Sequence, residues 1–534
     1  MRRDLPLIFG LGLIANTLAA WFVTTPGYMD AYYYFGGATQ LARGHGFTEP
    51  YLWNYLLPAT TLPTPSHLYW MPLPSIIAAP FIALMGATQP APLLFRAAQI
   101  PFVVLASTLP LLSYLVAAHD FVPDHRGQNR TPHRRHALTA ALLTLFSSFY
   151  FGFWTTTDSF ALYGALAGSA LYLGGRIKEA GERRPGGLFL AGICAGLAHL
   201  TRADGVLVLL AVGMAILWAY QLRITPHVLR LAGLTVLGYL LITTPWFLRN
   251  LWVMGAPLPS GGVQTLWLTT YDDIFTLHPE TLTPANYFAA GWRVILKGKW
   301  FGLTTALGTA IGPLGSIAGF PFALIGLWKL RRQPLYAPMF LYGLLLFGAL
   351  TLAFTFPGAR GGLFHSGAAL LPFVIPAALV GLDTSVEAVA RRLPHWQPEK
   401  SKPIFTLLLV ALILTLTAFL FQRRLAAPQP ELLYADIGHW LANANTDPNA
   451  TVAVGDPPGF HYFTGQPAIT LPNGGAEEVL TAMRRFDAHW LVLDENHPVA
   501  LTDLYTAPAS DARFHLRATF GDAALPVYLF EVTP

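Results

Sequence analysis

Asp30 lies a few residues beyond an apolar run at Leu5–Val23, in a stretch that also holds Tyr28, Tyr32, Tyr33 and Tyr34. A carboxylate among aromatics at a membrane edge is a poor lipid anchor and a good general base for a polar substrate. His45, Glu49 and His67 follow in the same stretch, with Trp53, Tyr69 and Trp70 as flat faces able to stack a sugar. Asp158, Arg202, Asp204, Arg249, Arg360 and His365 each fall at the end of another apolar run, and Lys297 and Lys299 precede one. Arginines there can grip a phosphate bidentately, and lysines can meet it as point charges. Taken singly, a helix-end charge snorkels to the interface and an interfacial ring sits in an aromatic belt. Their placement on one side carries the argument, because carboxylates, cations and aromatics can then line a single cavity. Such a cavity suits a lipid-linked sugar: an apolar groove for the tail, cations for its phosphate, and aromatics with carboxylates for the head.

The elements that must position these residues are membrane helices. The chain has 534 residues, 54% hydrophobic and only 11% charged, where a soluble protein carries about 25% charged residues. The net charge of +5 is spread over loops between apolar runs, which signals orientation rather than nucleic-acid binding. The single cysteine, Cys194, excludes an intramolecular disulfide and a cysteine metal cluster. Leu5–Val23 is long for a signal-peptide core and reads as a retained membrane helix.

The span length and the Lys/Arg bias predict about eleven transmembrane helices in a polytopic α-helical protein. Arg2 and Arg3, Arg134 and Arg135, Arg183 and Arg184, Arg331 and Arg332, and Arg391 and Arg392 mark inner loops. The N-terminus is therefore cytoplasmic, and the protein sits multi-pass in a plasma (inner) membrane. Residues 1–425 form the membrane domain, with a first outer loop over about 26–92. Within that loop Pro72–Gly86 is apolar but cut by Pro72, Pro74 and Pro80, so it reads as an interfacial or re-entrant helix. A full span there would place the basic loop Asp120–His136 outside. Phe301–Leu330 and Leu363–Leu382 read as single helices, with an outer turn from Pro357 to Gly362.

Residues 428–534 change character. Glu431–Ala444 and Glu477–Phe486 have helical periodicity, and Thr451–Val454 and Trp490–Leu493 read as buried strands. This predicts a small extracytoplasmic α/β domain, serving either as a recognition lobe or as a stability cap.

The order of the motifs resembles a family. An outer Asp30 is followed by Arg-Gly-His-Gly-Phe at Arg43–Phe47 and Thr-Thr-Asp ending at Asp158. Leu-Thr-Arg-Ala-Asp-Gly at Leu200–Gly205 and Pro-Trp-Phe-Leu-Arg-Asn ending at Asn250 come next. With a C-terminal lobe, this resembles the GT-C superfamily of integral-membrane glycosyltransferases, which includes protein O-mannosyltransferases and aminoarabinose transferases. The resemblance implies inverting transfer of a sugar from a polyprenyl-phosphate-linked donor to a protein, lipid or polysaccharide acceptor. It implies Asp30 as the base, Asp158 as the residue orienting the acceptor or that base, and arginines at the leaving phosphate. Several members carry a second acidic residue after the first, where this chain has Ala31. A divalent metal enters as one reading of His67 with Asp30 and Asp158, a hydrogen-bonded loop histidine being the other. The rival class is a transporter or flippase for a lipid-linked sugar. It needs the same groove but would place its charges near the midplane, between repeat-related halves.

Overall fold

The computed structural model describes residues 3–57, 59–120, 130–177, 186–393, 396–427 and 429–532. Arg2, Arg183, Arg184 and most of the basic loop Asp120–His136 lie outside these residues. The chain is mostly helical and forms two compact units. One comprises Met1–Thr24, Gln99–Leu248 and Lys299–Ala427; the other comprises Thr25–Ala98, Arg249–Gly298 and Pro428–Pro534. Compactness thus groups the chain differently from a linear division at residues 425–428.

In the first unit, helix formation follows apolar runs long enough to satisfy their own backbone in lipid. Among the described residues of the whole chain, six helical runs are long and apolar enough to cross a membrane. They are Asp4–Phe22, Ala91–His119, Pro226–Met254, Pro334–Ala353, Thr355–Ala390 and the run that opens with Pro398. Gly186–Thr201 and Phe320–Leu330 are apolar but shorter. The helix expected over Phe301–Leu330 is interrupted. Trp292–Thr309 gives way to a π-helical turn at Ala310–Leu314, and the helix resumes at Phe320. Pro313 within that turn lacks an N–H to donate, and Ser316 and Ile317 adopt positive φ. The expected turn after Pro357 is also helical in part, kinked where Gly361 takes φ 126°. Only glycine enters that region without strain. Helices Phe320–Leu330 and Leu371–Ala390 pack backbone to backbone. A Cβ on Gly326 would lie 1.7 Å from the Ala377 carbonyl oxygen, and one on Gly381 1.8 Å from that of Phe322. Small residues at such a crossing replace the hydrophobic driving force that lipid removes.

The second unit is built on a sheet. Strands are β1 (Thr48–Glu49), β2 (Tyr51–Leu52), β3 (Thr64–Pro65), β4 (Thr451–Val454), β5 (Ala468–Thr470), β6 (Ala488–Leu493), β7 (Phe514–Phe520) and β8 (Val527–Val532). The larger sheet has the order β2-β5-β4-β6-β8-β7; β2, β5, β4 and β6 are parallel neighbours, while β8 and β7 run antiparallel. The helices expected over Glu431–Ala444 and Glu477–Phe486 form at Leu433–Asn443 and Ala476–Arg485. β2 comes from the first loop, and Leu52 and Tyr55 join Ile469, Met483 and Leu491 in one core. That strand explains why residues 25–98 group with the C-terminal segment. Helix Leu73–Met85 packs on Met29–Ala42 within this unit. At 13 residues it is about 20 Å long, short of the ~30 Å hydrocarbon core.

Candidate functional site

The first unit gathers four of the expected residues into one network. Asp158 caps helix Ser159–Gly175, its Oδ1 accepting from the Ser159 N–H. Its Oδ2 lies 3.5 Å from His365 Nδ1, and that nitrogen is 2.9 Å from Ser159 Oγ. The imidazole stacks on Phe160 with centroids 3.8 Å apart. Arg202 approaches from the turn after helix Gly186–Thr201. Its Nε donates to Ser366 Oγ at 2.9 Å and lies 3.3 Å from Asp204 Oδ1, while Nη1 reaches Ser159 Oγ at 3.5 Å. Ser366 Oγ donates to Asp204 Oδ2, and the Ser366 carbonyl accepts from Tyr342 at 3.0 Å. Carboxylate, imidazole and guanidinium thus alternate at the ends of three helices. Asp158 and Ser366 are almost fully buried, and Arg202 retains partial exposure. Such an array can hold an anion on Arg202 and position a hydroxyl on the carboxylates.

Asp158 and His365 also offer one oxygen and one nitrogen donor to a divalent metal. Two ligands are fewer than the three or four protein ligands of most zinc sites, so a metal bound here would take another. Lys299 donates to Thr355 Oγ1 at 2.8 Å, just before the kink that carries exposed Arg360. Lys297 is exposed on the same helix as Lys299.

In the second unit Asp30 is the second residue of helix Met29–Ala42, half-buried, where the helix dipole favours its charge. Tyr32, Tyr33 and Tyr34 are not a membrane belt. All three are buried to 2% exposure or less, Tyr32 against Tyr462 and Phe463, and Tyr33 against Tyr51, His67 and Trp70. Trp53 stacks on Trp70 with centroids 3.9 Å apart and is 4% exposed, so its face is taken by another ring rather than open to a sugar. Tyr69 meets Trp53 edge-on, and Tyr69 and Trp70 stay half-buried.

His67 is 1% exposed at φ 57°, and its N–H donates to the Tyr33 hydroxyl at 2.7 Å. Its ring sits so close to helix Met29–Ala42 that a Cβ on Gly37 would meet Nε2 at 2.7 Å. Burial, reinforced by Arg249, pushes the imidazole down to about 3. Among the described residues His67 joins no cluster with the geometry to hold a metal. Arg249 clamps the loop. Its Nη2 donates to the carbonyls of Ser66 (3.0 Å) and Phe47 (3.4 Å), its Nη1 donates to Asn250 Oδ1 (3.2 Å), and the guanidinium lies over the Phe47 ring.

Glu49 on β1 is 6% exposed. Burial outweighs the lowering effects of Tyr33 and Arg249 and pushes its carboxyl up to about 8. The sequence offered Glu49 as a loop-shaping residue or a substrate contact, and did not single out Ser159 or Ser366. Both serines adjoin residues already singled out, and that adjacency was the available signal.

No protein-family model and no curated protein sequence matches the chain. Solved structures do. An oligosaccharyltransferase from Archaeoglobus fulgidus, in complex with Zn and sulfate, is similar over 96% of this chain and 72% of its own, with TM-score 0.58 at 13% identity. ArnT from Cupriavidus metallidurans, bound to undecaprenyl phosphate, is similar over 98% and 97%, with TM-score 0.55 at 14% identity. The archaeal oligosaccharyltransferase AglB, with an inhibitory peptide and a dolichol-phosphate, gives TM-score 0.52 at 12% identity over 97% and 74%. This multi-pass membrane protein shares its fold with these solved structures.

Proposed function

We propose that the chain is a membrane glycosyltransferase that moves a sugar from a polyprenyl-phosphate donor to an acceptor on the extracytoplasmic side, with inversion. The observation that carries this reading is the Asp158–His365–Ser159–Arg202–Ser366–Asp204 network. It sits on a fold whose solved examples include complexes with undecaprenyl phosphate and dolichol-phosphate. In the step proposed, the acceptor nucleophile attacks the anomeric carbon and its proton passes to Asp30. The bond from that carbon to the lipid phosphate oxygen breaks, and its electron pair leaves with the polyprenyl phosphate. Arg202 would meet the growing charge on that phosphate, with Lys299 and Arg360 as further cations. Asp158 and His365 would orient the acceptor. The Zn complex of the oligosaccharyltransferase and the Asp158–His365 donor pair support a divalent metal, which would supply Lewis-acid charge.

The helix breaks at Ala310–Leu314 and around Gly361 favour a second reading, a flippase for a lipid-linked sugar, since such breaks recur in transporters. Proteoliposomes given a radiolabelled polyprenyl-phosphate sugar and a membrane extract as acceptor source separate the two. Transfer of label to a lipid-free or larger product supports the enzyme. Reorientation of intact donor without transfer would overturn it.

A further inference from the structure

Residues of the segment 249–298, together with Asn473, line an open cavity of about 270 Å³ that the proposed chemistry does not use. Trp267, Tyr287, Asp273, Thr276, Asn286 and Asn473 are among its walls, all within the second compact unit. The volume falls below the ~300–1,000 Å³ of pockets for drug-sized ligands and suits one sugar ring. Its chemistry suits one too. Trp267 and Tyr287 meet at 66° with centroids 5.9 Å apart, giving a corner of aromatic surface for the C–H face of a pyranose. The polar wall is pre-set. Asp273 Oδ2 accepts from the Thr269 N–H and hydroxyl (2.8 Å each) and the Thr270 N–H (2.9 Å), and Oδ1 accepts from the Thr270 hydroxyl (2.9 Å).

Asn286 Nδ2 donates to the Thr281 carbonyl at 2.8 Å, which leaves its Oδ1 to accept. The Asn473 N–H is tied to the Phe275 carbonyl at 3.0 Å. Among the described residues its side-chain amide and the Trp267 indole N–H make no hydrogen bond within the protein. Among the described residues no Lys or Arg lines the cavity and Asp273 does, so a lipid phosphate is repelled while sugar hydroxyls are accommodated.

The cavity also connects by packing to the helix of the proposed base. Phe275, two residues after Asp273, meets Trp53 edge-on at 6.5 Å; Trp53 stacks on Trp70; and Trp70 packs on Tyr33 at 4.7 Å, in the helix that begins with Met29 and Asp30. We propose that this cavity is the acceptor subsite and takes a pyranose unit of a carbohydrate acceptor, an assignment that rests on the glycosyltransferase reading above.

Saturation-transfer NMR on the full chain in lipid nanodiscs tests it, with methyl glycosides of the common hexoses, pentoses and N-acetylhexosamines as probes. At least one pyranoside should bind wild type. Binding should weaken about tenfold in Trp267→Ala, which loses its ring face. It should weaken about fivefold in Asn473→Ala, which loses a hydrogen bond but little packing. Absence of binding across the panel, or equal binding by wild type and both cavity variants, overturns the subsite even if sugar transfer proceeds. Displacement by a polyprenyl-phosphate sugar makes the cavity a donor site, and displacement by peptides alone makes it a peptide site; either overturns it. Pyranoside binding with these dependences, but no transfer by wild type, overturns the glycosyltransferase reading instead and takes the acceptor role with it.

Discussion

Arg202 donates through Nε to Ser366 Oγ at 2.9 Å, joining two helix ends 164 residues apart in sequence. Through Ser366 the guanidinium also shares Asp204, so its planar fork is held before any anion arrives. Truncating Arg202 to alanine should lower sugar transfer about 10²-fold, the scale of one lost charge-stabilising donor. Arg202→Lys should recover only part of this, because an ammonium cannot engage Ser366 and Asp204 while holding a phosphate. Steady-state transfer in proteoliposomes, with donor varied, checks both; unchanged kcat in Arg202→Ala would remove it from the phosphate site.

Asp30 carries the heaviest chemical assignment. Asp30→Asn keeps size and helix position but cannot take a proton, so transfer should fall at least ~10²-fold. Expression, detergent extraction and thermal midpoint should match wild type. Full retained transfer would end its role as base.

Arg249 tests a structural assignment. Removing its hydrogen bonds to Ser66 and Phe47 should loosen the first loop, since each lost bond costs about 0.5–1.5 kcal/mol and leaves a carbonyl poorly paired. Limited proteolysis of Arg249→Ala should cut between residues 43 and 67 several-fold faster than in wild type. If cleavage is unaltered while the KM for donor rises, the residue binds phosphate rather than the loop.

Glu49 gives a pH dependence with a definite sign. Its carboxyl holds a proton to about pH 8 in the folded chain, against an ordinary value of 4.5. The folded form therefore binds more protons through this window, and stability declines as pH rises from about 4.5 to about 8. Asp456, pushed up to about 7 chiefly by burial, acts in the same direction. Glu49→Gln isolates the first contribution. Its thermal midpoint should exceed that of wild type at about pH 8 and match it near pH 5. A constant difference between the two proteins at every pH would refute the shift.

Local pattern was enough for much of this architecture. Apolar runs marked the helices at Asp4–Phe22, Ser159–Gly175 and Pro398–Leu425, and short-range periodicity marked β4, β6 and the helix Ala476–Arg485. The break at Pro313 was written locally too, but apolar composition hid it, since Ile311, Leu314 and Phe320 read as one run. β2 escaped notice because two residues, Tyr51 and Leu52, carry no period of their own; they become a strand only through β5, more than 400 residues later.

The sequence by itself determined that this is a membrane protein with many of its charged side chains at the ends of apolar runs. Residue type and hydropathy alone decide what enters lipid. Which of those side chains meet was decided by tertiary structure. Asp158, His365, Arg202 and Asp204 converge because three helices end together, whereas Arg249, of the same residue type and at the end of another apolar helix, turns to the loop carbonyls. A guanidinium binds a carbonyl or a phosphate by the same donors, so only the surroundings supplied by distant segments assign it.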